Sequence, residues 1–484
     1  MKKIVYSALV VLSIVGVTSC SRDFTETQFF QEEQAAPITT AEQLESFVRG
    51  TYLKMRATNY LGNKYRATGQ IHTDETYCTI FSGRNRDFAA YSLLSTSADP
   101  EDIWYAIGQT IGNANIVINS SDNLTYGGTA NAQALTQVKY LKGQAYALRA
   151  QALFDLLKLY GQEYSGGSLG VVVPLVYNPN AQQARSTVAE TRAQIESDFQ
   201  AALDNLGDPT KISDETYSDK TYLNPYSVKA LMSRYYLYKG DYAKVIQYAK
   251  DVIDSGKYFV IPASELALSF TKDNAANSVF ELAVGINGAS GTNSYANLLN
   301  SVGYKNIAVL PGVYSSYESG DVRKGLIIQG VVRSGQKAYF LNGKFSDVNG
   351  NSNIKVIRYE EVLLNAAEAE IQAGSSTNAL NYYNMIRQAR GLAVASSVTL
   401  DLIKKERTLE LIGEGLRYWD LLRWNSTIPY YNQNGVRVSS APSSNPNSTI
   451  GDKSVGNNLL AFPIPRKETS SPRSLVVSNP GYDN

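Results

Sequence analysis

Two segments of the chain share one pattern: a helix, a glycine turn, a second helix and a closing glycine. They are Tyr226–Gly256, with its turn at Gly240, and Tyr359–Gly391, with its turn at Gly374. A repeat of about 34 residues with this pattern is typical of tetratricopeptide-type helical hairpins. Such hairpins bury a continuous core only when several of them stack. We therefore predict a mainly α-helical fold whose scaffold is a stack of helical hairpins.

A third hairpin can be assembled from Val138–Tyr160 and Thr191–Leu206, with Gly161–Glu190 inserted between its helices. Helical periodicity also begins near Thr40, a residue type that caps helix starts, and returns around Trp104–Ile118. These segments extend the helical scaffold towards the amino-terminal half of the chain.

Three regions interrupt the helical pattern, at about 71–100, 258–356 and 425–458. The second is rich in glycine, serine, asparagine and tyrosine, and contains two short β-like runs, Val279–Leu282 and Gly325–Val332. Loops held by a rigid scaffold are where binding residues concentrate. We predict a single domain over residues 41–484, with ligand contacts in its irregular regions.

The amino terminus has the features of an export signal. Lys2 and Lys3 precede an apolar run, Ile4–Val17, and small residues lead to Cys20. A basic start, a short apolar segment and small residues before a cleavage point are typical of a secretory signal peptide. A cysteine at that point resembles the lipobox of bacterial lipoproteins, in which diacylglycerol is attached to the sulfur. We predict a signal peptide at 1–19 and a lipidated tether at 20–40; the alternative is an ordinary signal peptide with a chance cysteine.

Composition excludes several classes of function. Lys and Arg number 45 against 44 Asp and Glu, which argues against nucleic acid because that partner needs a basic face. The single histidine, His72, argues against a histidine-based zinc site or a Ser–His–Asp triad. Once Cys20 is lipidated, Cys78 stands alone, so there is no disulfide framework. The 34 tyrosines are mostly explained by helix packing, but they also suit a surface that grips polar, ring-shaped or extended ligands.

Three motifs have a superficial likeness to functional sites. Gly166–Gly170 matches the G-x-S-x-G nucleophile elbow, but a helix precedes it and the only histidine lies upstream, so we interpret it as a loop. Asp347–Asn353 resembles a calcium loop, but its glycine comes too early and Arg358 stands where a glutamate is needed; a turn is the simpler interpretation. His72–Glu75 offers one imidazole beside two carboxylates, which favours a hydrogen-bonded loop anchor.

Glu406, Glu410 and Glu414 recur at helical spacing, with Arg407 and Arg417 between them. Ion pairs along a helix face explain this pattern without catalysis. Because no segment assembles an acid, base and nucleophile, we predict a binding protein with no enzyme activity, no metal and no cofactor.

Several segments together resemble the SusD/RagB family of outer-membrane nutrient-binding lipoproteins of Bacteroidota. Glu406–Leu411 followed by Gly413–Trp424 is similar to the family's E-R-x-x-E-L…E-G-x-R-x-x-D-L-x-R helix. Phe462–Pro465 and Asn479–Tyr482 match its P-I-P…N-P-G-Y close. In this family such motif residues mostly pack helices together, so we expect structural roles for them and for Trp419.

The resemblance implies a lid on a TonB-dependent transporter of the SusC type, anchored in the outer membrane through Cys20 and facing the cell surface. Only one acid, Asp23, follows Cys20 closely, which weakens the signal for surface export. The implied ligand is a glycan or oligosaccharide. Alternatives are an oligopeptide, as in RagB-like members, or a helical scaffold with no small ligand.

Family members place their binding loops in the first two irregular regions. Aromatic platforms stack on the apolar faces of sugar rings, and groups between them bind the hydroxyls. The candidate ligand residues are Tyr77, Phe81, Arg84, Tyr91, Tyr295, Tyr304, Tyr314 and Tyr339.

Overall fold

The structure is a computed structural model that describes residues 37–79, 81–208, 218–445 and 448–482. The predicted signal peptide, Cys20 and residues 21–36 of the predicted tether lie outside these residues. No helix in the described part of the chain is long and apolar enough to cross a membrane.

Helices dominate the described residues, as predicted. In chain order they are α1 Ala41–Met55, α2 Lys64–Ile71, α3 Arg86–Ala89, α4 Ala98–Ile118, α5 Ala132–Tyr160, α6 Val188–Leu206, α7 Pro225–Lys239, α8 Tyr242–Asp254, α9 Leu266–Ser269, α10 Gly285–Gly288, α11 Tyr295–Leu299, α12 Pro311–Ser316, α13 Tyr359–Gln372, α14 Ser376–Ala389, α15 Leu400–Leu411, α16 Arg417–Arg423 and α17 Arg466–Thr469. Short 3₁₀ turns cover Ala263–Glu265, Gly291–Asn293, Val322–Leu326, Arg333–Gly335 and Asn458–Leu460.

Six short strands form two antiparallel sheets. They are β1 Thr76–Cys78, β2 Ser278–Leu282, β3 Ile307–Val309, β4 Ile328–Val331, β5 Lys337–Phe340 and β6 Ile354–Arg358. One sheet has the strand order β1-β3-β5-β4, and the other pairs β2 with β6. The predicted strand at Val279–Leu282 is confirmed. Only Ile328–Val331 of the predicted run Gly325–Val332 is a strand, because the chain before it forms a 3₁₀ turn.

The predicted hairpins are present. Helices α7 and α8 are joined at Gly240, and α13 and α14 at Gly374, each with a positive φ of 81° and 83° respectively. That backbone conformation costs glycine least because it has no β-carbon. The third hairpin is α5 with α6, and α13 packs against both helices of the α7–α8 hairpin. Nearly every side chain of α5 from Leu141 to Tyr160 is buried, which makes this helix the centre of the core.

Helix starts follow local signals. Thr40 caps α1 in a reciprocal box with Gln43, whose backbone N–H lies 3.2 Å from the Thr40 hydroxyl oxygen. Helix α4 begins at Ala98, six residues before the predicted start at Trp104. Pro100 lies in its first turn, where proline is tolerated because the backbone N–H has no helical partner.

Glu406, Glu410 and Glu414 form a buried ion-pair network rather than pairs along one helix face. Glu410 accepts from Arg390 Nε at 2.8 Å, and from Arg358 and Arg323 at 3.1 Å each. Glu414 lies beyond the end of α15 and binds Arg358 and Lys344. Burial alone raises the pKa of Glu410, but these arginines outweigh it and hold the pKa well below its usual range. The partners come from distant elements, so helical spacing did not reveal them.

The other motifs also have structural roles. His72 is buried, and its Nε2 lies 2.8 Å from the carbonyl oxygen of Phe88, as expected for a loop anchor. Burial lowers the pKa of His72 to about 3, which keeps the ring neutral. Asp347 accepts backbone N–H groups from Asn351 at 2.6 Å and Ser352 at 2.7 Å, which closes the predicted turn. Gly166–Gly170 is a loop, also as predicted.

Trp419 is buried, and Asn479 fixes the C-terminal segment by donating to the carbonyl oxygens of Tyr160 at 2.9 Å and Phe462 at 2.7 Å. These contacts confirm that the segments resembling the family motifs pack the fold together.

Candidate functional site

The four-stranded sheet brings two of the predicted irregular regions together. Thr76 of β1 pairs with Val309 of β3, which pairs in turn with Tyr339 of β5. Candidate residues that lie far apart in the sequence are therefore carried by one sheet and the loops that lead into it. Loops beside a sheet that rests on a helical scaffold are a suitable base for ligand contacts.

The sheet separates the candidates onto two faces. Residues paired across antiparallel strands share a face, so Tyr339 lies on the face of its partners Val309 and Gln329. Tyr77 pairs with Ala308 and lies on the opposite face, where it is 3% exposed. The Tyr77 ring packs against Gly435: a β-carbon added to Gly435 would lie 2.9 Å from the ring.

Three of the eight candidates are packing residues, which corrects the prediction of ligand platforms at these positions. Besides Tyr77, the ring of Tyr91 lies against His72 with centroids 3.8 Å apart, and Tyr295 is 2% exposed. The Tyr295 hydroxyl donates to the carbonyl oxygen of Gly413 at 2.9 Å. A buried tyrosine ring offers no face to a sugar, and the sequence pattern does not distinguish it from an exposed one.

Tyr304, Arg84 and Phe81 remain partly exposed and lie in adjoining loops. The Arg84 guanidinium carbon lies 4.2 Å from the centre of the Tyr304 ring, and Arg84 Nη2 donates to Asn293 Oδ1 at 2.9 Å. A hydrogen bond from Arg84 lowers the pKa of the Tyr304 hydroxyl. On the neighbouring loop, Lys305 Nζ lies 4.9 Å from the centre of the Phe81 ring.

Beside Arg84 is an open polar groove of about 580 Å³. Its lining combines four amide side chains with charged groups: Asn59, Asn63, Asn85 and Asn293 with Lys64, Arg84, Arg86, Asp87 and Asp99. Amides both donate and accept hydrogen bonds, so they can bind the hydroxyl groups of a sugar or the backbone of a peptide.

Tyr314 and Tyr339 form a second aromatic unit on the sheet. Their rings stack with centroids 4.2 Å apart and planes inclined by 15°, and both residues are partly exposed. Lys324 Nζ lies 4.9 Å from the centre of the Tyr314 ring. The sheet thus presents two aromatic units, each with a cation over a ring.

Sequence reasoning missed Arg66, which lies on α2 outside the irregular regions. Its guanidinium carbon is 4.2 Å from the centre of the Tyr295 ring, at the wall of a cavity of about 90 Å³ that Lys344 and Phe345 also line. No carboxylate lies within ion-pair distance of Arg66 in the part of the chain described. A helical arginine looks like a solvated side chain in sequence, so there was no signal to find it.

A larger groove of about 720 Å³ lies elsewhere, beside Trp104 and Tyr105. It presents the exposed apolar side chains of Leu175 and Val176, with Tyr177 next in the chain. Contiguous exposed apolar groups are typical of contacts with macromolecules. Among the described residues, no group of three or more His, Cys, Asp or Glu side chains is placed to hold a metal ion.

Comparison with known families adds a second line of evidence. A model of the SusD family matches residues 318–482. A second model, described as starch-binding associating with outer membrane, matches residues 30–237. The two matches fall in different parts of the chain and together include both ends of the helical scaffold.

Individual relatives agree with these matches. SusD-like protein P38 of Formosa agariphila is 24% identical, over 88% of this chain and 92% of its own length. A SusD superfamily protein from Bacteroides thetaiotaomicron has a TM-score of 0.78 and 26% identity, covering 91% of this chain and all of that structure. A laminarin-binding SusD-like protein shares the fold with a TM-score of 0.70 and 21% identity, covering 92% of this chain and 100% of its own.

Proposed function

The chain belongs to the SusD family, and on that premise we propose that it is a cell-surface lipoprotein that binds a glycan and delivers it to a SusC-like TonB-dependent transporter. The family is one of carbohydrate-binding proteins associated with the outer membrane. Laminarin binding by a protein of the same fold supports a glycan as the ligand here.

One observation carries the proposal: partly exposed aromatic rings lie beside amide and cationic side chains on one sheet and the loops and helix next to it. Tyr304, Phe81 and the Tyr314–Tyr339 pair supply apolar ring surface. Aromatic rings offer area with little conformational entropy to lose, and the Asn293 region offers donors and acceptors for sugar hydroxyls. This arrangement binds and orients a ligand, and we propose no chemical step at it.

Tyr304→Ala and Tyr314→Ala test this site. After a glycan array identifies a ligand for the chain lacking residues 1–20, each substitution is expected to weaken its binding about tenfold or more, since losing a buried aromatic contact costs at least about 1.4 kcal/mol. Isothermal calorimetry measures the change. Tyr177→Ala, at a tyrosine that is 56% exposed elsewhere, is the control and should leave affinity unchanged. If all three variants bound the glycan as tightly as the parent protein, the binding site would lie elsewhere in the molecule.

An oligopeptide is the second candidate, and one strand favours it. β4 pairs only with β5, and most of its residues are exposed. An open strand edge can accept an extended peptide through main-chain hydrogen bonds. The same array should therefore include oligopeptides, and a hit among the peptides with none among the glycans would support this function instead.

The anchor is tested separately. If Cys20 is lipidated, Cys20→Ala is expected to release the chain from the membrane fraction, because stable anchoring depends on acyl chains. Cell fractionation and metabolic labelling with a palmitate analogue measure the release and the modification. Cys78→Ala is the matched control, since Cys78 is buried. A Cys20→Ala variant that stays in the membrane fraction would contradict the anchor.

A further inference from the structure

The three segments that form the aromatic surface contain no acidic residue. Residues 76–86, 283–317 and 322–346 include no Asp or Glu, although the whole chain has 44 acids against 45 bases. The bases in these segments are Arg84, Arg86, Lys305, Arg323, Lys324, Arg333, Lys337 and Lys344. Charge is therefore balanced over the molecule but strongly uneven at this surface.

Two of these bases are neutralised inside the fold. Arg323 pairs with Asp321 and Glu406, and Lys344 pairs with Glu414. The other six have no carboxylate within 4 Å among the residues that the structure describes. Elsewhere in the fold, by contrast, arginines such as Arg149 and Arg234 are paired with acids.

The unpaired cations alternate with the exposed rings along a continuous set of contacts. Arg84 lies over Tyr304, and the next residue, Lys305, lies over Phe81. Lys305 Nζ also donates to the carbonyl oxygen of Val331 at 3.1 Å.

The contacts continue across the sheet. Val331 is the register partner of Lys337, which shares a strand and a face with Tyr339. Tyr339 stacks on Tyr314, and Tyr314 lies under Lys324. The surface is thus a ribbon of rings with a cation beside each aromatic unit.

A cation above one face of Tyr304 or Phe81 leaves only the other face and the edge for stacking, and Tyr314, whose ring also stacks on Tyr339, offers only its edge. A sugar placed there brings its substituents close to the ammonium or guanidinium group, where an anionic group gains a charge-assisted hydrogen bond. The hydroxyls of a neutral sugar would find no carboxylate acceptor along the ribbon. The polar groove beside Arg84 does contain acids: Asp99 pairs with Lys64, and Asp87 follows Arg86.

Given the proposed glycan-binding function, on which this step rests, we infer that the ligand is an anionic glycan, one whose sugars carry carboxylate or sulfate groups. The shared chemistry is a negatively charged oxygen group that recurs along the chain and meets the row formed by Arg84, Lys305, Lys324 and Lys337. The ligand is thus defined by the charge of these groups and their spacing along the glycan, not by the identity of one sugar.

Matched probes that differ only in charge test this inference. Polygalacturonate is compared with its methyl ester, and dextran sulfate with dextran, by calorimetry at about 0.05 M and about 0.5 M salt. We expect the charged member of at least one pair to bind at least about tenfold more tightly at low salt, with the advantage reduced at high salt. The first pair identifies a carboxylate ligand and the second a sulfate ligand.

Substitutions distinguish binding at this particular surface from nonspecific attraction of a polyanion to any basic group. The triple change Lys305→Gln, Lys324→Gln and Lys337→Gln should weaken binding of the charged probe about tenfold or more. Lys139→Gln with Lys250→Gln, at exposed lysines on α5 and α8, should not. The triple variant should unfold at the same temperature as the parent protein, which checks that it is folded.

The outcomes are distinct. Neutral probes or array glycans that bind as tightly as charged ones overturn the anionic ligand and leave the glycan-binding function standing. Equal loss in the control double variant also overturns it, since attraction would then be general. Binding of no glycan on the array overturns the proposed function itself.

Discussion

Glu410→Gln is expected to destabilise the fold by about 3–5 kcal/mol, the range for removing one member of a buried ion pair. Glu410 is 3% exposed and accepts hydrogen bonds from Arg323, Arg358 and Arg390. Glutamine keeps the shape but removes the negative charge, which leaves three buried guanidinium groups short of compensation. Thermal and urea unfolding of the soluble domain measure the loss; failure to accumulate as folded protein counts as the same result.

Glu45→Gln is the control for this prediction. Glu45 forms an ion pair with Arg49 one turn along α1, and the two side chains are 30% and 63% exposed respectively. Surface pairs of this kind contribute at most about 1 kcal/mol, so the unfolding temperature should barely move. If the two variants lost similar amounts of stability, the network around Glu410 would not be a stabilising centre.

Gly69→Ala is expected to cost about 3 kcal/mol, the upper end of overpacking penalties, or to prevent folding. A β-carbon on Gly69 would lie 2.0 Å from the carbonyl oxygen of Gly415. Helix α2 approaches this turn closely because the Gln70 side chain accepts the backbone N–H groups of Gly413 at 3.1 Å and Gly415 at 3.3 Å. Moving the helix away to relieve the clash would break both hydrogen bonds, so the backbone cannot relax without losing them.

Gly108→Ala is the matched change in an open setting. Gly108 lies in α4, is exposed, and would place its β-carbon with no neighbouring atom within 4 Å. Alanine is a better helix residue than glycine by about 0.5–1 kcal/mol, so this variant should be slightly more stable than the parent. Calorimetric unfolding measures the stability of both alanine variants. A Gly69→Ala protein as stable as the parent would contradict the prediction, because the turn at Gly415 would then have shifted to make room for the methyl group.

The helical scaffold was predictable because its signals are local. Gly240 and Gly374 each end one helix and permit the next, and both turns can be read within a few residues of sequence. The sheet was not predictable in the same way. Strands of three to five residues carry too little periodicity to be recognised, and β1 finds its partner only after nearly half of the chain has intervened.

The candidate site was predictable as a region but not residue by residue. Composition marked the tyrosine-rich loops as a region of short strands and ligand contacts, yet it could not tell the buried ring of Tyr295 from the accessible ring of Tyr304. Arg66 lay on a helix and gave no signal. Charge also misled, since a balance summed over the whole chain hid the absence of acids beside the exposed rings. Burial and pairing are properties of tertiary packing, which no single segment encodes.

The distant pairings within the fold have a consequence for how the protein reaches its native state. Gln70 and Gly413 meet across 343 residues, and Gln162 meets Asn479 across 317. Closing such long loops is slow, because the chain loses conformational entropy before the stabilising contacts form. A chain made amino terminus first cannot pair β1 before Ile307–Val309 of β3 is present, and it cannot close the turn at Gly415 onto Gln70 before its last third has arrived. The candidate surface is therefore incomplete in any chain that stops before Tyr339, and the contact of Tyr295 with Gly413 forms later still.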